Sequence, residues 1–175
     1  MEENIEMPTT KSIVMKWGPI LGLISIGLIL ITALGELQRS SAMNWIGIIP
    51  TIAIIYLAHK EYKDTGDGFM SYGKGLGLGT LIVVVSSLIS SIFFYIYIKF
   101  IDTNYVQILK DIQLEGMQEQ GMGDAQIEQA MKMSENFMTP EMMFVFGIVI
   151  GVFFGFLVSL VVSAITKNNN PALEV

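Results

Sequence analysis

The sequence has no cysteine and a single histidine, His59. The first absence excludes disulfides, thiolate metal sites, a cysteine nucleophile and a cysteine-linked lipid anchor. The second leaves no histidine pair for a metal and no acid–base set for catalysis. Charge is scarce as well. Asp, Glu, Lys and Arg make up 15% of the chain, against about 25% in an ordinary soluble domain. The charges that remain sum to −6, which argues against a nucleic-acid partner. In their place stand 52% hydrophobic residues and a mean hydropathy of +0.58. That composition excludes disorder and an ordinary water-soluble domain alike. The chain reads as a membrane protein, and its 175 residues suit one integral membrane domain, residues 1–175.

The gaps between charges locate the spans. Uncharged runs cover residues 17–35, 40–58, 75–98 and 142–166. A helix needs about 20 apolar residues to cross about 30 Å of hydrocarbon, and each run meets or nearly meets that length. A membrane β-barrel needs short alternating segments, whereas Leu28-Ile29-Leu30-Ile31 and Leu81-Ile82-Val83-Val84-Val85 do not alternate. The first run follows Lys11 and Lys16 as a signal peptide would, but its apolar stretch is too long for one, and a retained signal anchor is the better reading. Asn44 and Pro50 fall within the second run, so a kink is expected at its centre, with Thr51 close enough to satisfy a freed carbonyl. A proline kink can line a transport pathway; a packing kink is the plainer reading. The positive-inside rule sets the orientation. With both termini in the cytoplasm, Lys11, Lys16, Lys60, Lys63, Lys74 and Lys167 lie inside and Arg39, Lys99, Lys110 and Lys132 outside.

Residues 102–139 form the one large extramembrane piece. Tyr105, Ile108, Leu109, Ile112 and Gly116 recur at helical spacing, Gly121-Met122-Gly123 interrupts, and Asp124 is a good N-cap for a second helix. Ile127, Ala130, Met131, Ser134 and Met138 form the second stripe, and Thr139-Pro140 restarts a helix that becomes the fourth span. The segment reads as an amphipathic helical hairpin. From Lys99 to Glu141 it carries eight acids and three lysines, so anionic lipid repels it, and it reads as a solvated acidic cap. Met117, Met122, Met131, Met133, Met138, Met142 and Met143 cluster there. Thioethers are soft donors suited to Cu(I), but Met131 and Met133 do not share a helix face. The cluster reads as adaptable filler.

The fourth run carries Gly147, Gly151, Gly155, Ser159 and Ser163, an unbroken four-residue repeat that permits close helix approach. The third run offers Gly75, Gly79, Ser87 and Ser91 as a partner surface, with Val83 interrupting, and the first run has Gly18 and Gly22. Whether this seam joins helices of one subunit or of two is open at this point. The glycines of residues 73–79 lack the spacing of a nucleotide loop. Asp64-Thr65-Gly66-Asp67-Gly68 lacks the closing Glu of a calcium loop and reads as a turn. His59 reads as an interfacial residue at a span end. The residues present form no catalytic, cofactor-binding or metal constellation.

Four spans, the Tyr62-Lys63-Asp64 loop leading into Gly68-Phe69-Met70-Ser71-Tyr72-Gly73-Lys74-Gly75-Leu76, the acidic stretch Gly116 to Met122 with Gln126 to Met131, and Phe137-Met138-Thr139-Pro140 before a glycine-rich span carry a resemblance. Together they resemble the domain of unknown function 4199 family of bacterial inner-membrane proteins, over nearly the whole chain. The resemblance implies a multi-pass protein of the bacterial inner membrane and brings no activity and no catalytic residues. The expected fold is all-α: a four-transmembrane-helix bundle with an extracytoplasmic hairpin between helices 3 and 4. The expected role is non-enzymatic, through helix packing or contact with a partner, either a second copy or another membrane protein in the lipid bilayer. Its rival is a small transporter or channel subunit for a neutral or apolar solute. The four runs hold no ionisable side chain on an ion path, which counts against coupled transport.

Overall fold

The structure, a computed structural model, describes residues 9–171; residues 1–8 and 172–175, the ends of the expected domain, lie outside it. Helix α1 (Thr10–Leu34) is capped by the Thr9 side chain, which accepts from Ser12 N. After a 3-10 turn at Leu37–Arg39 come α2 (Ser41–Ile46) and α3 (Ile48–Asp64). Helix α4 (Tyr72–Ile96), capped by Ser71, continues into a π-helical turn at Tyr97–Ile101. Helices α5 (Tyr105–Glu119) and α6 (Asp124–Glu135) precede α7 (Pro140–Thr166). Among the described residues the chain is all-α, and the one β pairing is an isolated antiparallel bridge between Met70 and Asn168.

Three helices are long and apolar enough to cross a membrane: α1, α4 with its π turn, and α7. Each turns most of its apolar surface outward. The apolar stretch of α4 is 39% buried and that of α7 only 17%, far too exposed for water. The run 40–58 behaves differently. It divides at Gly47 into α2 and α3, and α3 runs on through His59, Lys60, Glu61 and Lys63. Pro50 is the third residue of α3, in the first turn, where its missing N–H costs no hydrogen bond. The kink expected at Pro50 is therefore absent, and the interruption falls at Gly47. Thr51 Oγ1 donates to Gly47 O at 2.8 Å rather than serving a carbonyl freed by the proline.

Contacts give the directions. Gly18 and Gly22 of α1 face Val85 and Ile89 of α4, and Lys74 Nζ donates to Thr10 Oγ1, so α1 and α4 run parallel. Ile55 and His59 of α3 face Gly79 and Gly75, so α3 runs antiparallel to α4, as does α7. Helix α4 touches α1, α3 and α7. One core, built on Ile13, Leu21, Ile55, Leu78, Ile82 and Val162, fills the half of the molecule that holds the α1 and α4 N-termini. A second core at the opposite end joins Ala33, Tyr97, Ile98 and Tyr105. Tyr105 anchors α5 there by edge contacts with Phe94 and Tyr97.

Helices α5 and α6 touch each other across a turn in which Gly121 takes φ +72°, a left-handed conformation that favours glycine. Of the stripe read on α5, Tyr105 is buried and Ile108, Leu109, Ile112 and Gly116 are half-buried. On α6, Ile127 is buried, Ala130, Met131 and Ser134 are half-buried, and Met138 follows, half-buried, beyond the helix end. The N-cap of α6 is Gly123, one residue before the expected Asp124, which occupies the first helical position. Gln126 Oε1 accepts from Gly123 N–H there. Ion pairs join Arg39 to Glu115, Lys99 to Glu141 and Lys132 to Glu128.

Candidate ligand cleft

The seam between α4 and α7 is a ladder of small residues in a constant antiparallel register. Gly147 faces Ser91, Gly151 faces Ser87, Gly155 faces Val83, and Gly79 and Gly75 face Ser159 and Ser163. A side-chain carbon placed on Gly151 would lie 2.6 Å from Ser87 Oγ, and one on Gly79 would lie 2.7 Å from Ser159 Oγ. Side-chain atoms of one helix thus rest on the backbone of the other, the contact that small residues permit. Val83 does not interrupt this surface. Its branched side chain sits on Gly155, where an added carbon would lie 2.6 Å from Val83 Cγ2. The seam lies within one subunit.

Helix α3 covers only part of this seam. Its buried residues, Ile54, Ile55, Ala58 and His59, begin only at its seventh position. There Ile55 and His59 lie against the small residues Gly79 and Gly75. Towards its N-terminus Ile49, Ile52 and Ala53 are exposed, as are Trp45 and Ile46 of α2. Where α3 diverges, the seam is left uncovered and forms the floor of a cleft of about 520 Å³. Ser87, Gly147, Gly151 and Gly155 form that floor; Leu21 and Ser25 of α1, Ser86 and Ser90 of α4, and Ile48 and Thr51 of α3 form the walls. A second cavity of about 410 Å³ shares Ser25, Gly47, Ser90 and Gly147 with it and extends towards Thr32, Ser91 and Tyr105. The combined cleft therefore runs from the middle of the helices to the acidic end.

Its chemistry is uniform. No Asp, Glu, Lys, Arg or His lines either cavity; the polar lining is hydroxyl, with the indole of Trp45 at the rim. Several hydroxyls in these helices bond back to the carbonyl four residues earlier, as Ser25 does to Leu21, Thr51 to Gly47, Thr80 to Leu76 and Ser159 to Gly155. Ser86 is 4% exposed and Ser87 7%. Neither hydroxyl makes a hydrogen bond among the described residues, and neither hydroxyl oxygen is sealed from the cavity. An unpaired hydroxyl in an apolar interior costs roughly 1–3 kcal/mol, so these two oxygens mark the polar centre of the cleft.

The other end of the seam is closed around His59. The ring is fully buried, with Nε2 2.9 Å from Gly75 O and Nδ1 2.7 Å from Thr166 Oγ1. A carbonyl only accepts, so Nε2 carries the proton and the neutral ring accepts at Nδ1 from the Thr166 hydroxyl. Lys63 Nζ donates to Thr166 O at 3.0 Å. The Met70–Asn168 bridge closes the loop below, with N–H to O distances of 2.8 and 2.9 Å. His59 is thus a buried tie between α3, α4 and α7, not the interfacial residue expected.

A family model described as "Protein of unknown function (DUF4199)" matches residues 16–168. The chain belongs to the DUF4199 family. No curated protein and no solved structure matches this DUF4199 chain.

Sequence reasoning singled out Gly75, Gly79, Ser87, Ser91, Gly147, Gly151, Gly155, Ser159 and Ser163, and the structure places all of them along the α4–α7 seam. It passed over Ser25, Ser86 and Ser90. A signal was available in the doubled hydroxyls Ser86-Ser87 and Ser90-Ser91, which place two polar rows on an otherwise apolar helix. Only one row can face α7; the other must find a different partner.

Proposed function

We propose that this DUF4199 chain is an integral protein of the bacterial inner membrane that crosses the bilayer four times and holds an uncharged molecule in its hydroxyl-lined cleft, without enzymatic chemistry. The fourth crossing is α2 with α3. Helices α1 and α4 run parallel, so the chain between them returns across the bilayer. Ser41 to Asp64 is 24 residues, about 36 Å at 1.5 Å per residue. The cleft carries the binding reading: it falls within the roughly 300–1,000 Å³ of small-molecule sites, and its lining offers hydroxyls and no ionisable group. This favours a neutral-solute role over a partner-contact role, because Gly155, Ser159 and Ser163 of the stripe are buried against α4, and Gly147 and Gly151, which α3 leaves open, line the cleft. The N-in, C-in orientation, with α5 and α6 as an extracytoplasmic cap, follows the lysine asymmetry.

Two experiments test this. The chain has no native cysteine, so single cysteines report cleanly. Ser90→Cys, in the cleft, should react with N-ethylmaleimide in intact membranes on the order of ten-fold faster than Ser163→Cys, which is fully buried. Equal, slow labelling of both would remove the cleft. For orientation, a reporter active only outside the cytoplasm should be active when inserted near Gly123 and silent after Val175; the reverse pattern would invert the topology.

A further inference from the structure

We propose that the occupant is a membrane-dissolved lipid with an uncharged, hydroxyl-bearing head, which enters sideways from the bilayer and places its head at Ser86. This rests on the cleft reading above and names the ligand class for it. The mouth decides the source of the ligand. Its rim is Trp45 on α2 and Ile150 and Phe154 on α7, each at least half exposed. Ile150 and Phe154 belong to the outward apolar surface of the long helix α7, and the exposed Trp45 of α2 stands beside them, so the cleft opens on hydrocarbon. A solute in that phase is itself mostly hydrocarbon.

The lining decides the head. Ser86 is more than nine-tenths buried, its hydroxyl has no hydrogen-bond partner among the described residues, and it borders the cavity. It can donate to and accept from a ligand. Ser25 and Thr51 have spent their protons on Leu21 and Gly47, so towards the cleft they present lone pairs. The site therefore offers the free hydroxyls of Ser86 and Ser87 among several acceptors, which suits a head that brings its own O–H groups. A phosphate head brings charge and no donor set. With no Lys, Arg or His in the lining, burying that charge would go uncompensated. A glycerol or long-chain alcohol head meets the lining; a phospholipid head does not.

The full chain is reconstituted in vesicles with either of two photoreactive probes that share one diazirine-bearing acyl chain: a monoacylglycerol, or the lysophosphatidic acid made from it. The glycerol-headed probe should crosslink to peptides of α4 and α7 that line the cleft, and the phosphate-headed probe several-fold less. Ser86→Val should reduce crosslinking of the glycerol-headed probe about five-fold, the worth of one neutral hydrogen bond. Ser86→Thr, which keeps the hydroxyl, should restore it. Thr80→Val, outside the cleft on the same helix, should change nothing. If the two probes crosslink equally, or if Ser86→Val and Ser86→Thr behave alike while Ser90→Cys still reacts, the lipid assignment is wrong and the cleft stands. If Ser90→Cys is also inert, the cleft reading falls with it. A Ser86→Val protein that does not fold shifts the test to Ser86→Ala, for which the same loss is expected.

Discussion

Replacing Gly155 by Ile should prevent stable assembly of the helices, and replacing Val83 by Ala in the same chain should recover most of the loss. Gly155 is buried, and the Val83 side chain lies directly on its backbone. An added side chain has no free volume there, because the atom it meets is a branched carbon held on the neighbouring helix, not the end of a flexible chain. Overpacking of this kind costs about 1–3 kcal/mol in cores that can relax, and the value here should lie at or above the top of that range. Double-mutant coupling between positions 155 and 83 should be large and of compensating sign. Gly77→Ile is the control, since nothing lies within 4 Å of its added carbon. Thermal unfolding in detergent measures all three. If Gly155→Ile and Gly77→Ile melt together, the register assigned to α4 and α7 is wrong.

His59→Leu should be the second large effect. Leucine fills similar space and removes both hydrogen bonds of the ring. Thr166 can redirect its hydroxyl to Val162 O, which lies 2.8 Å away. Gly75 O has no such substitute for Nε2. Gly75 O keeps the helical N–H of Gly79 but loses its second donor, so the cost is that of two net hydrogen bonds, about 0.5–1.5 kcal/mol each. The melting temperature should therefore fall by several degrees, at about 2–4 °C per kcal/mol for a chain of this size. Thr166→Val should cost less, because it leaves the Nε2 to Gly75 bond intact. Equal effects would mean that Nδ1, not Nε2, carries the tie. The cleft lies at the other end of the seam, so maleimide labelling at Ser90→Cys should persist in Thr166→Val.

Much of this molecule follows from local chemistry. The ends of α7 follow from Thr139-Pro140 and Lys167, because a capping hydroxyl followed by proline starts a helix whatever surrounds it. The long apolar runs of α1, α4 and α7 follow from the spacing of charge, because no side chain of opposite character competes within them. The four-residue repeat of α7 marks a packing face, because only helical periodicity keeps those residues aligned. Other features are properties of pairs of helices, and no single helix encodes them. Val83 reads as a break in a small-residue surface until Gly155 is seen opposite it. Pro50 reads as a mid-span kink until Gly47 is seen to interrupt the helix ahead of it, which puts the proline in a first turn. His59 reads as interfacial among its charged neighbours, yet Gly75 and Thr166, from helices 16 and 107 positions away, enclose it. The cleft belongs entirely to the tertiary level. It exists because α3 follows the seam closely against Gly75 and Gly79 and then diverges from it, exposing hydroxyls whose partner no sequence window contains.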